Sequence, residues 1–471
     1  MIQIQSVYIN GRFEQAHGTE IADIISPLDK SVMAQMRYAD EVDTHKAIKA
    51  ASKALLSFRY TSKEERKAYL KAIHDEILKR LDDLIEATIL EYGASQERSK
   101  WSNLLSASVF LDQISVLDKY SFEKQINEST VVMEPVGVSA LFTPWNSTAG
   151  SIAVKLSAAL AAGCTVILKP SEFAPRQAAI IMESIAAAGL PEGVVNMVNG
   201  RGEVISKAFM ESAEVTKISF TGSTSVGTIL AKQSFDTMKR VTLELGGKSA
   251  NIILDDADLT KAIPMALQAA FMNNGQACIA GTRLLVPESR LLEIQKQLVI
   301  EADKLKVGNP LTDKVDIGPL ASERQYSRIQ EYIRIGMEEG AKLLYGGLGY
   351  PEGLEQGYYV KPTIFVGVNN QMRIAREEIF GPVLSVIPYS NEDEAIAIAN
   401  DTEYGLMAFV STGNEGKGIK MAHQLKAGRV LVNTLKHDPL APFGGYKHSG
   451  IGRENGVYGL EGFLEVKTLI K

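Results

Sequence analysis

The chain has 471 residues, 45% hydrophobic and 23% charged, with 50 Lys plus Arg against 56 Asp plus Glu for a formal net charge of -6. That length suits about three folding units with ample core, and the composition excludes a disordered, fibrous or disulfide-stapled scaffold. No long block of one charge sign points to nucleic acid, and neither a basic-then-apolar leader nor a run of about 18 apolar residues points to export or a membrane, so a cytoplasmic protein is expected. With only Cys164 and Cys278, and six His that never fall at ligand spacing, no metal site is expected.

In chain order, Tyr8-Ile-Asn-Gly-Arg-Phe13 places an Asn-Gly turn between apolar residues and predicts a hairpin. From Thr61, the residues Leu70, Ile73, Ile77, Leu81, Leu84 and Ile85 keep the spacing of a single helix face, capped by Thr61 with Glu64 or Ser62 with Glu65 and stopped at Gly93. Ser129 to Phe142 reads as two strands joined near Pro135. Short strands then alternate with helices: an Ala-rich helix closing at Ala162, strand 164–169, helix 175–188, strand 194–198, strand 217–220, helix 225–235 and strand 241–245. That alternation predicts crossover units and a parallel sheet whose ligands bind beyond the carboxyl ends of the strands. A second alternating region runs from Ala250 to Val432, with strands 251–254, 283–286, 383–387 and 430–432. The closing segment Gly462 to Lys471 reads as a strand, either paired across subunits or folded back on its own chain.

A free Cys is usually a small buried hydrophobe, and Cys164, between Gly163 and an apolar strand, takes that reading. Cys278 follows Gly275-Gln-Ala in an irregular stretch beyond an Ala-rich helix, where a thiol meets solvent and substrate. Glu244 ends a strand, and the paired Gly246 and Gly247 after it let the backbone approach another group, although in isolation a capping or salt-bridged carboxylate is the favoured reading. Asn146, after the strand 138–142, is a turn-former or an amide donor to substrate. Together, a thiol nucleophile, an amide donor for an oxyanion and a carboxylate able to activate water are the parts of covalent acyl chemistry. Phe220-Thr-Gly-Ser-Thr-Ser-Val-Gly227 joins a strand to a helix through a turn suited to a pyrophosphate, and Lys169-Pro-Ser-Glu172 offers partners for ribose hydroxyls.

These motifs, in order Pro144-Trp-Asn146, Lys169-Pro-Ser-Glu172, Phe220-Thr-Gly-Ser223 with Gly227, Glu244-Leu-Gly-Gly247, Gly275-Gln-Ala-Cys278, Glu377-Glu-Ile-Phe-Gly-Pro382 and Pro442-Phe-Gly-Gly-Tyr-Lys447, resemble the aldehyde dehydrogenase superfamily. The resemblance implies an α/β subunit with three parts: a Rossmann-like NAD(P)-binding domain (1–116 and 136–246), an α/β catalytic domain (247–448) and a small β oligomerisation element (117–135 and 457–471). It implies a homodimer or homotetramer, with the terminal strand pairing between subunits.

The same resemblance implies oxidation of an aldehyde to its acid through Cys278, with Asn146 and the Cys278 amide holding the oxyanion, Glu244 activating water and Lys155 in support. It assigns Trp145, Lys169, Ser171, Glu172, Phe220, Gly222, Ser223, Gly227, Leu245, Glu378 and Phe380 to the cofactor, and Ser147, Ala277, Ile279, His437 and Phe443 to substrate. Glu172 favours NAD over NADP by accepting from a ribose 2'-hydroxyl, while Lys169 and Ser171 leave NADP open. The alternatives are a CoA-acylating semialdehyde dehydrogenase and a non-catalytic dinucleotide-binding homologue. Ser147-Thr148 stands where many members carry an aromatic residue and then proline, which suggests an open, polar tunnel in which Lys436 or His437 receives a substrate carboxylate.

Overall fold

The computed structural model describes residues 2–312 and 314–470. The hairpin forms as the Asn-Gly turn predicts, with Tyr8 opposite Phe13 and Asn10 and Gly11 both left-handed. The single helix expected from Thr61 is instead two, Lys63–Lys79 and Leu81–Tyr92. Arg80 leaves helical geometry between them, and its guanidinium reaches Asp83 at 2.5 Å and Glu183 at 2.7 Å. Ser62 and Glu65 form the capping box and left-handed Gly93 closes the second helix, so both ends were legible although the break was not.

The alternating region builds an eight-stranded sheet in which five strands are parallel. Counting these from Val138–Phe142, the spatial order is third, second, first, fourth, fifth: Val195–Val198, Thr165–Lys169, Val138–Phe142, Val215–Thr221 and Arg240–Glu244. The order reverses between Val138–Phe142 and Val215–Thr221, which opens a crevice at their carboxyl ends. The Ala-rich helix Thr148–Ala162 is buried almost throughout and packs against Gln96–Lys119; its small side chains allow that close approach.

The second region forms a seven-stranded sheet ordered Lys342–Tyr345, Thr363–Val366, Val383–Tyr389, Arg283–Pro287, Ala250–Ile253, Met407–Ser411, Arg429–Val432, parallel except at the first strand. The two sheets are stitched by Gly450–Ile451, which leaves the second region and pairs antiparallel with Leu243 and Glu244 at the edge of the first sheet.

The closing strand finds a partner in its own chain. Leu464–Ile470 runs antiparallel to Ser129–Pro135 of its own chain over seven residues, in a three-stranded sheet with Glu123–Ile126; Lys471 lies outside the described residues. A partner strand was already available in the same chain, because Pro135 ends that strand and Gly137 turns the backbone into the large sheet. No helix among the described residues is long and apolar enough to cross a membrane.

Candidate active site

The groups singled out in the sequence converge on the carboxyl ends of the first sheet. Trp145 and Asn146 follow Val138–Phe142, Lys169 ends its strand, Gly222 and Ser223 follow Val215–Thr221, and Glu244 ends Arg240–Glu244. Cys278 comes from the other half, on a loop between helix Leu259–Phe271 and strand Arg283–Pro287.

That loop owes its shape to three successive left-handed residues, Asn273, Asn274 and Gly275, a backbone that Asn and Gly tolerate best. Side chains tie the turn down. Asn274 Nδ2 donates to the Gly93 and Pro319 carbonyls at 3.0 Å each, Tyr92 Oη donates to the Asn273 carbonyl at 2.6 Å, and the buried Gln276 amide accepts from Ala321 N–H at 3.1 Å. Asn146 Nδ2 donates to the Gln276 carbonyl at 2.8 Å, two residues before Cys278, which leaves its second N–H uncommitted. The consecutive Asn-Asn-Gly was a readable turn signal; its anchors Tyr92 and Asn273 lie too far apart in sequence to be paired by reading.

Burial, and then the charges of Glu378 and Glu244, push the Cys278 thiol up to about 12, while the N–H groups of Cys278 and Ile279 aim at the sulfur and oppose that rise. In the resting protein the sulfur is therefore a protonated thiol facing two amides and two carboxyls. Glu244 is buried, neither of its carboxyl oxygens has a hydrogen-bond partner, and burial followed by the Glu454 charge raises its pKa well above the usual carboxylate range. It is not the capping or salt-bridged carboxylate that sequence left open. A buried carboxyl without a partner is costly unless something in the site uses it.

The paired glycines act through close approach. A Cβ on Gly247 would sit 2.3 Å from the Cys278 carbonyl oxygen, and one on Gly246 would sit 2.6 Å from Glu378 Oε2. Gly247 N–H donates to Glu378 Oε1 at 3.0 Å, so that carboxyl is aimed by backbone while burial pushes it up to about 7.

Lys155 is no surface lysine. It is buried, and its ammonium donates to Ser219 Oγ at 3.0 Å and to Glu454 Oε1 at 2.5 Å. Glu454 was missed in the sequence; it reaches the site only because Phe443 and Glu454 bridge two loops of the second region.

On the cofactor side, Lys169 and Ser171 are buried, and Lys169 Nζ donates to Glu172 Oε2 at 2.8 Å. Ser223 Oγ caps helix Thr224–Phe235 by accepting from Val226 N–H, Phe220 packs beneath Gly222, and Leu245 lies against Gly227. Phe380, left-handed at φ 65°, sets its ring edge-on to Trp145 at 5.4 Å. These residues fit a dinucleotide. A capped helix N-terminus lies at the switch point, Glu172 is held beside it, and Glu378 keeps one oxygen free for a hydroxyl.

A cleft of about 1320 Å³ opens beside the loop that carries Cys278 and is lined by Ala277, Ile279, Lys436 and His437. Ile279 and Phe443 join a small apolar cluster with Met407 and Phe409. Ser147 lies apart from this cleft, in a narrow cavity with Trp145 and Asn146, and Phe443 is not part of the cleft wall. His437, exposed, stands edge-on to Trp101 at 6.4 Å.

The pattern of the aldehyde dehydrogenase family matches residues 13–469. A 3-succinoylsemialdehyde-pyridine dehydrogenase of a Pseudomonas species is 44% identical over 472 residues, spanning 100% of this chain and 99% of that protein. A crystal structure of a mutant aldehyde dehydrogenase C from Pseudomonas syringae, complexed with NAD+ and octanal, superposes with a TM-score of 0.98 at 41% identity, covering 99% of this chain and 96% of the other. An aldehyde dehydrogenase of Mycobacterium tuberculosis complexed with NAD+ gives 0.97 at 38% identity, covering 100% and 98%.

Proposed function

The chain belongs to the aldehyde dehydrogenase family, and on that premise we propose that it oxidises an aldehyde to the carboxylic acid with NAD+, using Cys278 as nucleophile and Glu244 as the base that activates water. The observation that carries this reading is the meeting of a thiol facing two backbone amides with a buried, unpartnered carboxyl from the opposite half of the molecule.

Cys278 Sγ gives up its proton to solvent water and forms a bond to the aldehyde carbon. The free N–H of Asn146 and the Cys278 amide receive the carbonyl oxygen as it becomes an oxyanion. What NAD+ supplies when bound is a positive charge and an acceptor for the hydride, whose loss leaves a thioester on Cys278. Glu244 then takes a proton from water as the water oxygen attacks the thioester carbon, and the C–S bond breaks to return the thiol and release the acid. Lys155 is assigned a supporting role: its charge favours the ionised form of Glu244, against the opposing charge of Glu454. Residues Trp145, Lys169, Ser171, Glu172, Phe220, Gly222, Ser223, Gly227, Leu245, Glu378 and Phe380 are assigned to the cofactor. Glu172, held by Lys169, supports NAD over NADP, since a carboxylate there accepts from a ribose hydroxyl and repels a phosphate.

The partition into a cofactor part (1–116 and 136–246), a catalytic part (247–448) and an assembly part (117–135 and 457–471) is proposed with it. The exposed Val466, Leu469 and Ile470 on the outer strand support a homo-oligomer. A cytoplasmic location accords with a nucleophile that must stay a thiol. The experiment is an aldehyde panel with NAD+ read as NADH formation. Turnover is expected in the native protein and its loss, by more than about 10³-fold, in Cys278→Ala; equal rates would overturn the assignment.

A further inference from the structure

The cleft beside the Cys278 loop carries a cation with nothing to hold. Arg98 lies in the first turn of helix Gln96–Lys119, its guanidinium stacked over the Trp101 ring at 4.4 Å. Its Nε is buried without a hydrogen-bond partner, and among the described residues no carboxylate pairs with its guanidinium. Arg98 lines both the outer cleft, with Ala277 and Ile279, and the narrow cavity that holds Asn146. It therefore stands where the two spaces meet.

Its neighbours make the vacancy specific. Arg429, the second guanidinium of the wall, is committed to the carbonyls of Asp438, Ala441 and Pro442. Three acidic groups of the wall are engaged elsewhere, since Asp438 accepts from Leu440 and Ala441 N–H, Glu301 pairs with Lys304 and Asp316 accepts from Lys306 N–H, and the fourth, Glu97, is exposed and makes no ion pair with Arg98. Burial, and then the charge of Arg429, hold the His437 pKa down against Asp438, with Arg98 adding to the effect, so a neutral ring is favoured there; Lys436 on the same wall is exposed, which leaves Arg98 as the wall cation with a buried, unpartnered nitrogen. Much of the cleft wall is hydrocarbon, with Phe271, Met407, Phe409 and Leu435. A buried guanidinium nitrogen without a partner is costly, and a planar fork lying over an aromatic ring can match a carboxylate in two parallel hydrogen bonds.

We propose that the aldehyde is an ω-oxo carboxylic acid with a hydrocarbon spacer, and that Arg98, stacked on Trp101, receives its carboxylate. This deepens the proposed aldehyde oxidation and moves the anion-binding role from Lys436 and His437, both exposed, to Arg98.

The test is calorimetric titration of the Cys278→Ala protein with ω-oxo acids of increasing chain length and with their methyl esters, which needs no turnover. One acid of the series is expected to bind at least about tenfold more tightly than its ester, as for a charge-assisted hydrogen bond, with Arg98→Gln erasing the difference and Arg98→Lys restoring part of it. Equal binding of acid and ester, or a preference that survives in Arg98→Gln, overturns the proposal. Should Arg98→Gln fail to fold, the acid-to-ester ratio in Arg98→Lys, expected to fall severalfold, decides in its place. NADH formation from uncharged aldehydes reads the catalytic assignment separately: turnover without acid preference leaves that assignment standing and sinks this one, and acid-selective binding without turnover does the reverse.

Discussion

Cys164 and Cys278 occupy corresponding places in the two halves of the molecule, each after a helix and ahead of a parallel strand, and burial raises the pKa of both. What separates them is the company each thiol keeps. Cys164 follows a helix closed by Gly163, sits in the largest apolar cluster and donates to the Phe463 carbonyl at 3.4 Å. Cys278 stands on a loop of left-handed residues pinned by Tyr92, Asn146 and Asn274, facing amides, two carboxyls and an open cleft. Burial alone thus does not mark a nucleophile. A strained, side-chain-anchored backbone with unpartnered groups aimed at one point does.

The largest expected change that sharpens this contrast is Glu244→Gln. Hydrolysis should fall by about 10²- to 10⁴-fold, as for loss of a general base, while a burst of one NADH per site survives in stopped flow. Because a base works only when ionised and burial raises Glu244, the native hydrolytic step should also quicken as pH rises through that elevated pKa. A lost burst would place Glu244 in the first step instead.

Next is Gly247→Ala. The added Cβ would meet the Cys278 carbonyl oxygen at 2.3 Å, and displacing that loop by about an ångström should cost on the order of 10²-fold in kcat. Unchanged kcat would show that the close approach is only packing.

Alkylation tests the thiols directly. With its pKa at about 12, Cys278 in the cofactor-free protein should react with iodoacetamide about tenfold faster per pH unit between neutral and alkaline conditions, and Cys164 should stay unlabelled. A plateau near neutral pH, followed by peptide mass mapping, would break the contrast.

Smaller still is Tyr92→Phe. It removes the bond to the Asn273 carbonyl and leaves the Gln276 amide without its acceptor, for about 1–3 kcal/mol of stability and a severalfold loss of kcat, read by denaturant titration and steady-state rates. The smallest is Cys164→Ala, expected to cost about 1 kcal/mol and leave NADH formation as it was.

Much of the fold could be read because its signals are local. Ser62 and Glu65 cap a helix three residues apart, Asn10 and Gly11 close a hairpin, and each strand of the parallel sheet is a short apolar run between helices. The break at Arg80 could not be read, because the apolar spacing continues from Ile77 through Leu81 to Leu84 and the partner Glu183 lies about a hundred residues away. The closing strand shows the same limit in part: its alternation was visible and the resemblance grouped it with 117–135, but its seven-residue register on Ser129–Pro135 was not legible.

Sequence by itself determined which groups stand as candidates for the chemistry, since a thiol, an amide, a carboxyl and paired glycines follow one another in the order of a known family's motifs. Tertiary structure decided their state. It left Glu244 without a partner, raised Cys278, buried Lys155 against Glu454 and left Arg98 unpaired in the cleft. Those outcomes depend on desolvation and on charges brought together from both sheets, and both arise only when distant segments pack.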